Sequence, residues 1–336
     1  MYNLAMHSKE KDRKTLFSNV ADKMVLNTAI IEKDFWVCLI LDYLFNKCEW
    51  KGNLTFKGGT SLSKCFNMIH RFSEDIDLIL DWRILGYSTE EIWQDFPSIT
   101  KQNKFNEAVN YKTKDFLKTK FIPKVKKDLS NYLKQEIKIE MSENEVAIDF
   151  FYPKIFTTSY ILPVIKLEIG ALAAWSPSNE MRIEPYAVQY YPKIFKLAET
   201  KVLTAAAERT FWEKATILHC EANRPESSSI PLRYSRHYYD LYCIAISGIK
   251  EKIFGNLELL SDVVEFKSKF YPRAWAKYEE AKIGTLKLVP PKYRFKELKK
   301  DYENMLEMMF YHAKVPSFEL IIDEIKKLEE EINGLK

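Results

Sequence analysis

The segment from Thr55 to Leu80, TFKGGTSLSKCFNMIHRFSEDIDLIL, constrains the fold of this chain more than any other stretch. It joins a Gly-Gly turn to two aspartates, Asp75 and Asp77, which lie in an apolar run and are separated by one residue. Such a run predicts a β-strand, on which alternate side chains share one face. Two carboxylates on a buried strand repel each other and lose hydration, and a divalent cation is the simplest compensation. The segment therefore predicts a metal site on a sheet.

The turn before the aspartates predicts a phosphate-binding element. Leu54–Phe56 is predicted to be a short strand, Gly58 and Gly59 a tight turn, and Thr60 the N-cap of a helix. Glycines let a ligand approach the backbone, and a helix N-terminus offers unpaired N–H groups to an anion. Hydroxyl donors follow at Thr60, Ser61 and Ser63. Because Mg²⁺ prefers few carboxylates together with phosphate oxygens and water, the whole segment predicts a metal–nucleotide site. The alternative is a solvated strand end beside an ordinary helix cap.

Apolar periodicity divides the chain into two predicted domains. Residues 1–192 are predicted to form a mixed-sheet core with a mostly helical insertion at about 88–138. This core is predicted to contain a helix at Val25–Phe45, strands at Val146–Phe151 and Val164–Ala171, and a loop at Trp175–Glu184. Residues 193–336 are predicted to form a helical domain that completes the site, with helices at Leu203–Glu221, Tyr238–Ser247, Leu257–Tyr271, Tyr293–Ala313 and Phe318–Leu335. The predicted fold class is α+β, with a mixed sheet followed by a C-terminal helical bundle.

Two motifs are distinctive, namely FKGGTSLSK at residues 56–64 and RFSEDIDL at residues 71–78. Both resemble motifs of the AbiEii/AbiGii toxin family, which belongs to the DNA polymerase β-like nucleotidyltransferase superfamily. Further segments that resemble the family lie at residues 32–37, 165–171, 208–214 and 236–242, and around residues 301–305. The resemblance implies a polymerase β-like core. The superfamily's usual turn is Gly-Ser, whereas this chain has Gly59-Thr60-Ser61, and the threonine hydroxyl can serve the same phosphate.

The resemblance also implies a third carboxylate on a neighbouring strand, which completes the metal site and helps to deprotonate the attacking hydroxyl. Glu168 is the first choice and Asp149 the second. On a strand over Val164–Ala171, Lys166 and Glu168 would share the face opposite the apolar residues. A charged pair is unusual on a core strand unless it serves a site. The alternative is an edge strand on which Lys166 and Glu168 form a salt bridge.

Two later segments are expected to supply cations and an acid. Lys214 corresponds to the family's motif lysine, which by resemblance contacts the nucleotide phosphates. Asp240 corresponds to the last motif acid, and would either position a lysine or arginine or help to bind metal. Arg236 and His237 are polar candidates beside it, although His237 is more readily explained as a satisfied helix residue. Arg71 would reach the triphosphate or pair with an acid of its own segment.

Composition adds weaker constraints. The net charge of +4 is too small to argue nucleic-acid binding, but residues 111–138 hold nine lysines against three acids. This run is typical of a solvated helix face, and the sharper alternative is an RNA-facing surface. The five cysteines lack metal-ligand or paired spacing, which suits a reducing cytosol. Neither a signal-like N-terminus nor a bilayer-spanning apolar run is present, so a cytoplasmic protein without membrane contact is expected.

Together these features predict a nucleotidyltransferase of the toxin type, which transfers a nucleoside monophosphate from an NTP to an RNA hydroxyl. The glycine turn with Thr60 and Ser61 would hold the triphosphate, the two aspartates and Glu168 would bind Mg²⁺ or Mn²⁺, and Lys214 would neutralise phosphate charge. The resemblance implies the 3′ end of tRNA as the acceptor and a separately encoded antitoxin as a partner. The alternatives are an enzyme that modifies a protein or a small molecule, and a non-catalytic binding protein on the same fold.

Overall fold

Among the described residues up to Ala205, seven strands form one mixed sheet. A computed structural model describes residues 10–73, 75–143, 147–158, 161–309 and 315–335. The strands are β1 (Leu54–Lys57), β2 (Ile76–Leu80), β3 (Lys138–Met141), β4 (Ala147–Phe151), β5 (Val164–Gly170), β6 (Ser178–Ile183) and β7 (Thr200–Ala205). Their order across the sheet is β3-β4-β5-β2-β1-β7-β6. The pairs β2–β5 and β1–β7 are parallel and the other neighbours are antiparallel, which confirms the predicted α+β class with a mixed sheet.

The chain divides into two compact units. The first unit extends to Cys65 and continues from Phe72 to Ala205, whereas the second comprises Phe66–Arg71 and the residues from Ala206 onward. The helices of the first unit are α1 (Glu10–Met24), α2 (Thr28–Asn46), α3 (Gly58–Lys64), α4 (Thr89–Trp93), α5 (Ile99–Phe116), α6 (Ile122–Leu133) and α7 (Tyr186–Tyr190). A π-helical turn at Leu117–Phe121 joins α5 to α6, so the insertion between β2 and β3 is helical, as predicted.

Helix α2 is the central support of the first unit, because every residue from Ala29 to Phe45 is buried. A buried charge needs a partner, and the Asp34 carboxylate of this helix accepts hydrogen bonds from Lys64 Nζ at 2.6 Å and from the Tyr186 backbone N–H at 2.7 Å. Lys64 is the last residue of α3, the short helix that follows the glycine turn. The ion pair therefore fixes the glycine-turn helix on the buried helix.

Two sequence predictions fail in the last part of the sheet. The loop predicted over Trp175–Glu184 is wrong, because Ser178–Ile183 forms strand β6, which pairs with β7. Strand β6 lies at the edge of the sheet with mostly exposed side chains, so backbone pairing defines it and no apolar alternation marks it. The helix predicted over Leu203–Glu221 begins at Ala207, since Leu203 belongs to β7.

Helices dominate the described residues of the second unit. They are α8 (Ala207–Ala222), α9 (Arg236–Ile246), α10 (Lys250–Phe254), α11 (Glu258–Phe270), α12 (Phe295–Met309) and α13 (Phe318–Asn333). Helix α8 packs against α9 and α11, and α9 packs against α13, which confirms the predicted helical region. The end of the helix predicted over Tyr293–Ala313 lies outside the described residues. Within the described ranges, none of the helices combines the length and the apolar character needed to cross a bilayer.

Candidate active site

The glycine turn and the aspartate strand are in direct contact in the first unit. Strands β1 and β2 are antiparallel neighbours, and Lys57 is the register partner of Asp77. Gly58 follows with a φ of +82°, and a Cβ atom built on it would lie 1.9 Å from Asp77 Oδ2. Only glycine tolerates both this backbone conformation and this close approach of a carboxylate. The turn and the strand that the sequence joined into one site are therefore neighbours in space.

Helix α3 begins at Gly58, which corrects the prediction that Thr60 is its N-cap. The residue before Gly58 contributes no side-chain cap. Thr60 is buried, and its hydroxyl donates to the Asp75 carbonyl and lies 3.0 Å from the Ser73 hydroxyl. The Ser61 hydroxyl donates to the Gly58 carbonyl at 2.8 Å. Both hydroxyls thus shape the turn and fasten it to the start of the aspartate strand.

Strand β2 begins at Ile76, so that Asp75 lies immediately before the strand and Asp77 lies within it. Ile76 and Leu78 are 0% and 1% exposed, whereas Asp75 and Asp77 are half-buried. This alternation is the one expected if the two carboxylates share the more accessible face.

Glu168 lies beside Asp77 as its register partner on the parallel strand β5. Neighbouring strands are about 4.8 Å apart, so these two carboxylates leave adjacent strands at the same level. Glu168 is exposed and Lys166 half-buried, while the apolar residues between and beside them are buried, as the sequence predicted. Strand β5 lies between β4 and β2, and the edge-strand alternative for it is therefore wrong.

Strands β2 and β5 offer carboxylate oxygens to a cation at Asp77 and Glu168, and Asp75 lies just before β2. Within the described ranges, no three His, Cys, Asp or Glu side chains converge into a ready-made metal site. Mg²⁺ does not need one, because one or two carboxylates together with phosphate oxygens and water usually hold it. Asp149, the second choice for the third acid, has a buried Oδ1 without a hydrogen-bond partner among the described residues. Hard oxygen donors at Asp75, Asp77 and Glu168 fit Mg²⁺ or Mn²⁺ bound together with a nucleotide.

The other predicted site residues form a buried charge cluster in the second unit. Arg71 donates to both oxygens of Asp240, from Nε and Nη2, at 2.7 Å each. Lys214 Nζ donates to Asp240 Oδ2, also at 2.7 Å. Arg71, Lys214 and Asp240 are only 3%, 6% and 0% exposed. Two cations therefore share one carboxylate, and Arg71 has a partner 169 positions away that its own segment did not indicate.

Charge and burial together set the protonation of this cluster. Burial alone would raise the pKa of Asp240, but Arg71 and Lys214 outweigh it and hold that pKa below its usual range. Burial lowers the pKa of Lys214, an effect that Asp240 opposes and Arg71 reinforces. Because both oxygens of Asp240 are committed to cations, the geometry favours its positioning role over a role as metal ligand.

His237 does not match its expected place as a satisfied helix residue. Its Nδ1 is buried and has no hydrogen-bond partner in the described part of the chain. Burial, reinforced by Lys214 and Arg236, lowers the pKa of His237 well below 6.5, so the imidazole is neutral near pH 7. The sequence could not show this, because the environment of His237 includes groups from distant segments.

Comparison with known proteins identifies the class. The model of the nucleotidyl transferase AbiEii toxin family, of the type IV toxin–antitoxin system, matches residues 39–324. The protein is therefore a nucleotidyltransferase. It belongs to the AbiEii toxin family, which implies an NTP substrate and an antitoxin partner. The matched range includes the glycine turn, all three predicted carboxylates, Lys214 and Asp240.

Two solved structures show low similarity to this chain. The MenT4 nucleotidyltransferase toxin of Mycobacterium tuberculosis H37Rv is 14% identical with a TM-score of 0.45, and covers 95% of this chain and 97% of its own. JHP933 of Helicobacter pylori is 14% identical with a TM-score of 0.44, and covers 92% of this chain and 93% of its own. No protein with curated annotation matches the chain. The family match therefore carries the assignment.

Replacing Gly58 with alanine tests the contact between the turn and Asp77. The added Cβ would displace the Asp77 carboxylate, and we expect roughly a 100-fold loss of transfer activity from the misplaced group. The matched control is Gly86→Ala, because Gly86 has a φ of +84° but nothing within 4 Å of an added Cβ. Both variants should lose about 1–3 kcal/mol of stability from backbone strain, measured by urea unfolding. Equal losses of activity would show that the Asp77 contact is irrelevant.

Proposed function

We propose that this toxin transfers a nucleoside monophosphate from an NTP to the 3′ end of tRNA and releases pyrophosphate. The observation that carries the proposal is the packing of Gly58 against the Asp77 carboxylate. A backbone that phosphate can approach and an acid that can bind a divalent ion lie together there, as phosphoryl transfer requires. Blocked tRNA ends would stop aminoacylation, which accounts for a toxic effect. The same proposal places the protein in the cytoplasm, where both substrates are found.

Each residue of the first unit has a definite role in this proposal. Asp75, Asp77 and Glu168 would hold Mg²⁺ or Mn²⁺, and the bound ion would neutralise negative charge on the phosphate oxygens. The exposed Glu168 accepts the proton of the attacking 3′-hydroxyl, whose oxygen forms a bond to the α-phosphorus as the bond to the pyrophosphate oxygen breaks. The turn at Gly58 and Gly59 receives the triphosphate.

The roles in the second unit follow from the buried charge cluster. Lys214 donates to a phosphate oxygen, and Asp240 orients it through the 2.7 Å hydrogen bond while holding Arg71 in place. Thr60 and Ser61 act in the first unit by keeping the turn in shape, since their hydroxyls are already bonded to the backbone. The cluster is thus assigned to binding, and the carboxylates of the sheet to the chemistry.

A lysine face on the helical insertion supports RNA as the acceptor. Its exposed lysines are Lys112, Lys114, Lys118, Lys120, Lys127 and Lys134. Lys124 and Lys126 are neutralised by Asp128 and Glu136, at 2.7 and 3.1 Å. In the described part of the chain, no carboxylate pairs with Lys114, Lys118 or Lys120. Such lysines attract a phosphate backbone through counterion release, whereas a merely solvated face tends to carry mixed charges.

Charge reversal on this lysine face is expected to weaken RNA binding without affecting NTP binding. The triple variant Lys114→Glu, Lys118→Glu and Lys120→Glu should raise KM for RNA about tenfold or more. The slope of the logarithm of the RNA binding constant against the logarithm of salt concentration should fall by about two to three, one for each lost phosphate contact. KM for the NTP should not change. The control is a triple Glu variant of the exposed lysines Lys292, Lys296 and Lys326 in the second unit. Equal weakening by both triples would refute a specific RNA face.

The acceptor itself is tested with labelled nucleotides. Each α-labelled NTP is incubated with the protein, Mg²⁺ and either total RNA or a protein extract. We expect label in RNA of tRNA size, and none when the RNA 3′ ends have first been oxidised with periodate. Label on protein, or label on periodate-treated RNA, would overturn the proposed acceptor.

A further inference from the structure

Two lysines share the more accessible face of the sheet with the carboxylates assigned to the metal. Lys57 ends strand β1 and is the register partner of Asp77 on the antiparallel strand β2. Lys166 lies two residues before Glu168 on β5, and its register partner is Asp149 on β4. Register partners on neighbouring strands leave the sheet on the same face. Cations and acids of four neighbouring strands are therefore interleaved on this face.

Lys57 differs from Lys166 because its register partner, Asp77, is assigned to the metal. Directly opposite residues of an antiparallel pair have Cβ atoms about 5 Å apart, and opposite charges there attract. The backbone of Lys57 is extended, with φ −150° and ψ −169°, so its side chain still follows the strand. Lys57 and Asp77 are both half-buried, which reduces the screening of their charges by salt. Lys64, the second lysine of the FKGGTSLSK motif, is committed to Asp34.

The position of Lys57 explains how two acids can be neighbours before a metal binds. Asp77 and Glu168 are register partners on parallel strands, and adjacent carboxylates repel each other. A cation that leaves the third strand at the same level offsets part of this repulsion. A divalent ion would be attracted by the same carboxylates, but it would meet the Lys57 ammonium as a like charge. The ammonium and the ion therefore compete for Asp77.

We infer that Lys57 is the counter-ion of Asp77 in the metal-free protein and that it weakens the binding of a divalent ion on its own. Lys57 is thus a positioning residue, which keeps the carboxylate pair in place until the ion arrives. The inference rests on the proposed function only in taking Asp77 as a metal ligand. It requires no particular NTP and no particular acceptor.

A double-mutant cycle on the full chain tests the ion pair without any metal. Urea unfolding in the presence of EDTA compares the wild type, Lys57→Met, Asp77→Asn and the double variant. Methionine keeps most of the apolar length of lysine but lacks its charge. Lys57→Met should raise the equilibrium constant for unfolding about fivefold more in the wild type than in the Asp77→Asn background, as expected for a cross-strand pair of opposite charges. Equal effects in the two backgrounds would overturn the inference.

The competition is tested with Mn²⁺ alone, so that no activity assay is needed. The paramagnetic resonance signal of free Mn²⁺ falls as the ion binds to the protein. Lys57→Met should bind Mn²⁺ about tenfold more tightly than the wild type, because a like charge beside the ion has been removed. A lysine that served only the fold would have the opposite effect, since its loss would loosen the carboxylates. Unchanged or weaker Mn²⁺ binding in Lys57→Met would therefore refute the inference.

Two controls isolate the charge of Lys57. Lys57→Arg keeps this charge and should bind Mn²⁺ within about threefold of the wild type, less than the change expected from losing the charge. Lys138→Met removes a lysine from the edge strand β3, where the side chain is 60% exposed and pairs with Glu140, and should bind as the wild type does. If Lys57→Arg binds as tightly as Lys57→Met, the charge is not the cause and the inference fails. If the cycle shows coupling but neither the wild type nor any variant binds Mn²⁺, the ion pair stands and the proposed metal role of Asp77 falls.

Discussion

Asp77→Asn is expected to lower kcat/KM for nucleotide transfer by roughly a thousandfold while leaving the protein folded. Asparagine is nearly isosteric with aspartate but lacks the charge that holds a divalent ion. Asp77 lies beside both Gly58 and Glu168, so its charge is at the centre of the proposed chemistry. Because asparagine keeps the shape of the side chain, the variant should still unfold cooperatively in urea. The measurements are transfer of labelled nucleoside monophosphate and urea unfolding.

A surface acid provides the matched control for this variant. Asp22 is exposed on α1, and Asp22→Asn removes the same charge without touching the sheet. It should keep full activity. In growing cells, expression of the wild type and of Asp22→Asn should slow growth, whereas Asp77→Asn should be harmless. Full transfer activity, or undiminished toxicity, in Asp77→Asn would contradict the role given to this carboxylate.

Asp240→Asn is expected to destabilise the second unit by about 3–5 kcal/mol. The substitution leaves Arg71 and Lys214 buried without their shared counter-charge. With Asp240 gone, burial and Arg71 would lower the pKa of Lys214 further, so phosphate binding should weaken as well. The comparison variant is Asp128→Asn, whose carboxylate is 24% exposed and pairs with Lys124. A pair this accessible should contribute less than about 1 kcal/mol, and equal losses from the two variants would contradict the buried-cluster account.

The same carboxylate gives stability a defined dependence on pH. Its pKa in the folded protein lies below the unfolded value of about 3.9, because Arg71 and Lys214 outweigh the effect of burial. Asp240 therefore contributes its full share of the free energy of unfolding when the pH is above the unfolded-state pKa. This share is lost as the pH falls from the unfolded-state pKa toward the folded-state pKa. Urea unfolding from pH 7 to pH 3 should show this acid-side loss in the wild type. Asp240→Asn should show a smaller loss over the same range.

Short-range features of this site can be predicted from the sequence. The glycine turn and the Asp77 strand are close along the chain, and the alternation of Ile76 and Leu78 with the aspartates marks the faces of the strand. The long-range features cannot be predicted in this way. Strand β6 has a polar sequence because it lies at an edge, and pairing with β7 defines it. Arg71 and Asp240 are 169 positions apart, and no local pattern joins them.

Helix boundaries and the roles of single side chains are also hard to predict from the sequence. Thr60 has the composition of an N-cap, yet its hydroxyl bonds to the Asp75 carbonyl and the helix begins earlier, at Gly58. His237 has the sequence context of an ordinary helical residue, but its buried Nδ1 has no hydrogen-bond partner in the described residues. The roles of Glu168 and of the metal ligands stay predictions, since they concern a bound state.

The second unit is assembled from two separate stretches of chain, Phe66–Arg71 and the residues from Ala206 onward. A fragment that starts at Ala206 would lack the guanidinium that neutralises Asp240, so this unit cannot be excised as one continuous piece. During translation, Arg71 leaves the ribosome long before Lys214 and Asp240 are made. A growing polypeptide therefore has no complete cation cluster until synthesis has passed Asp240.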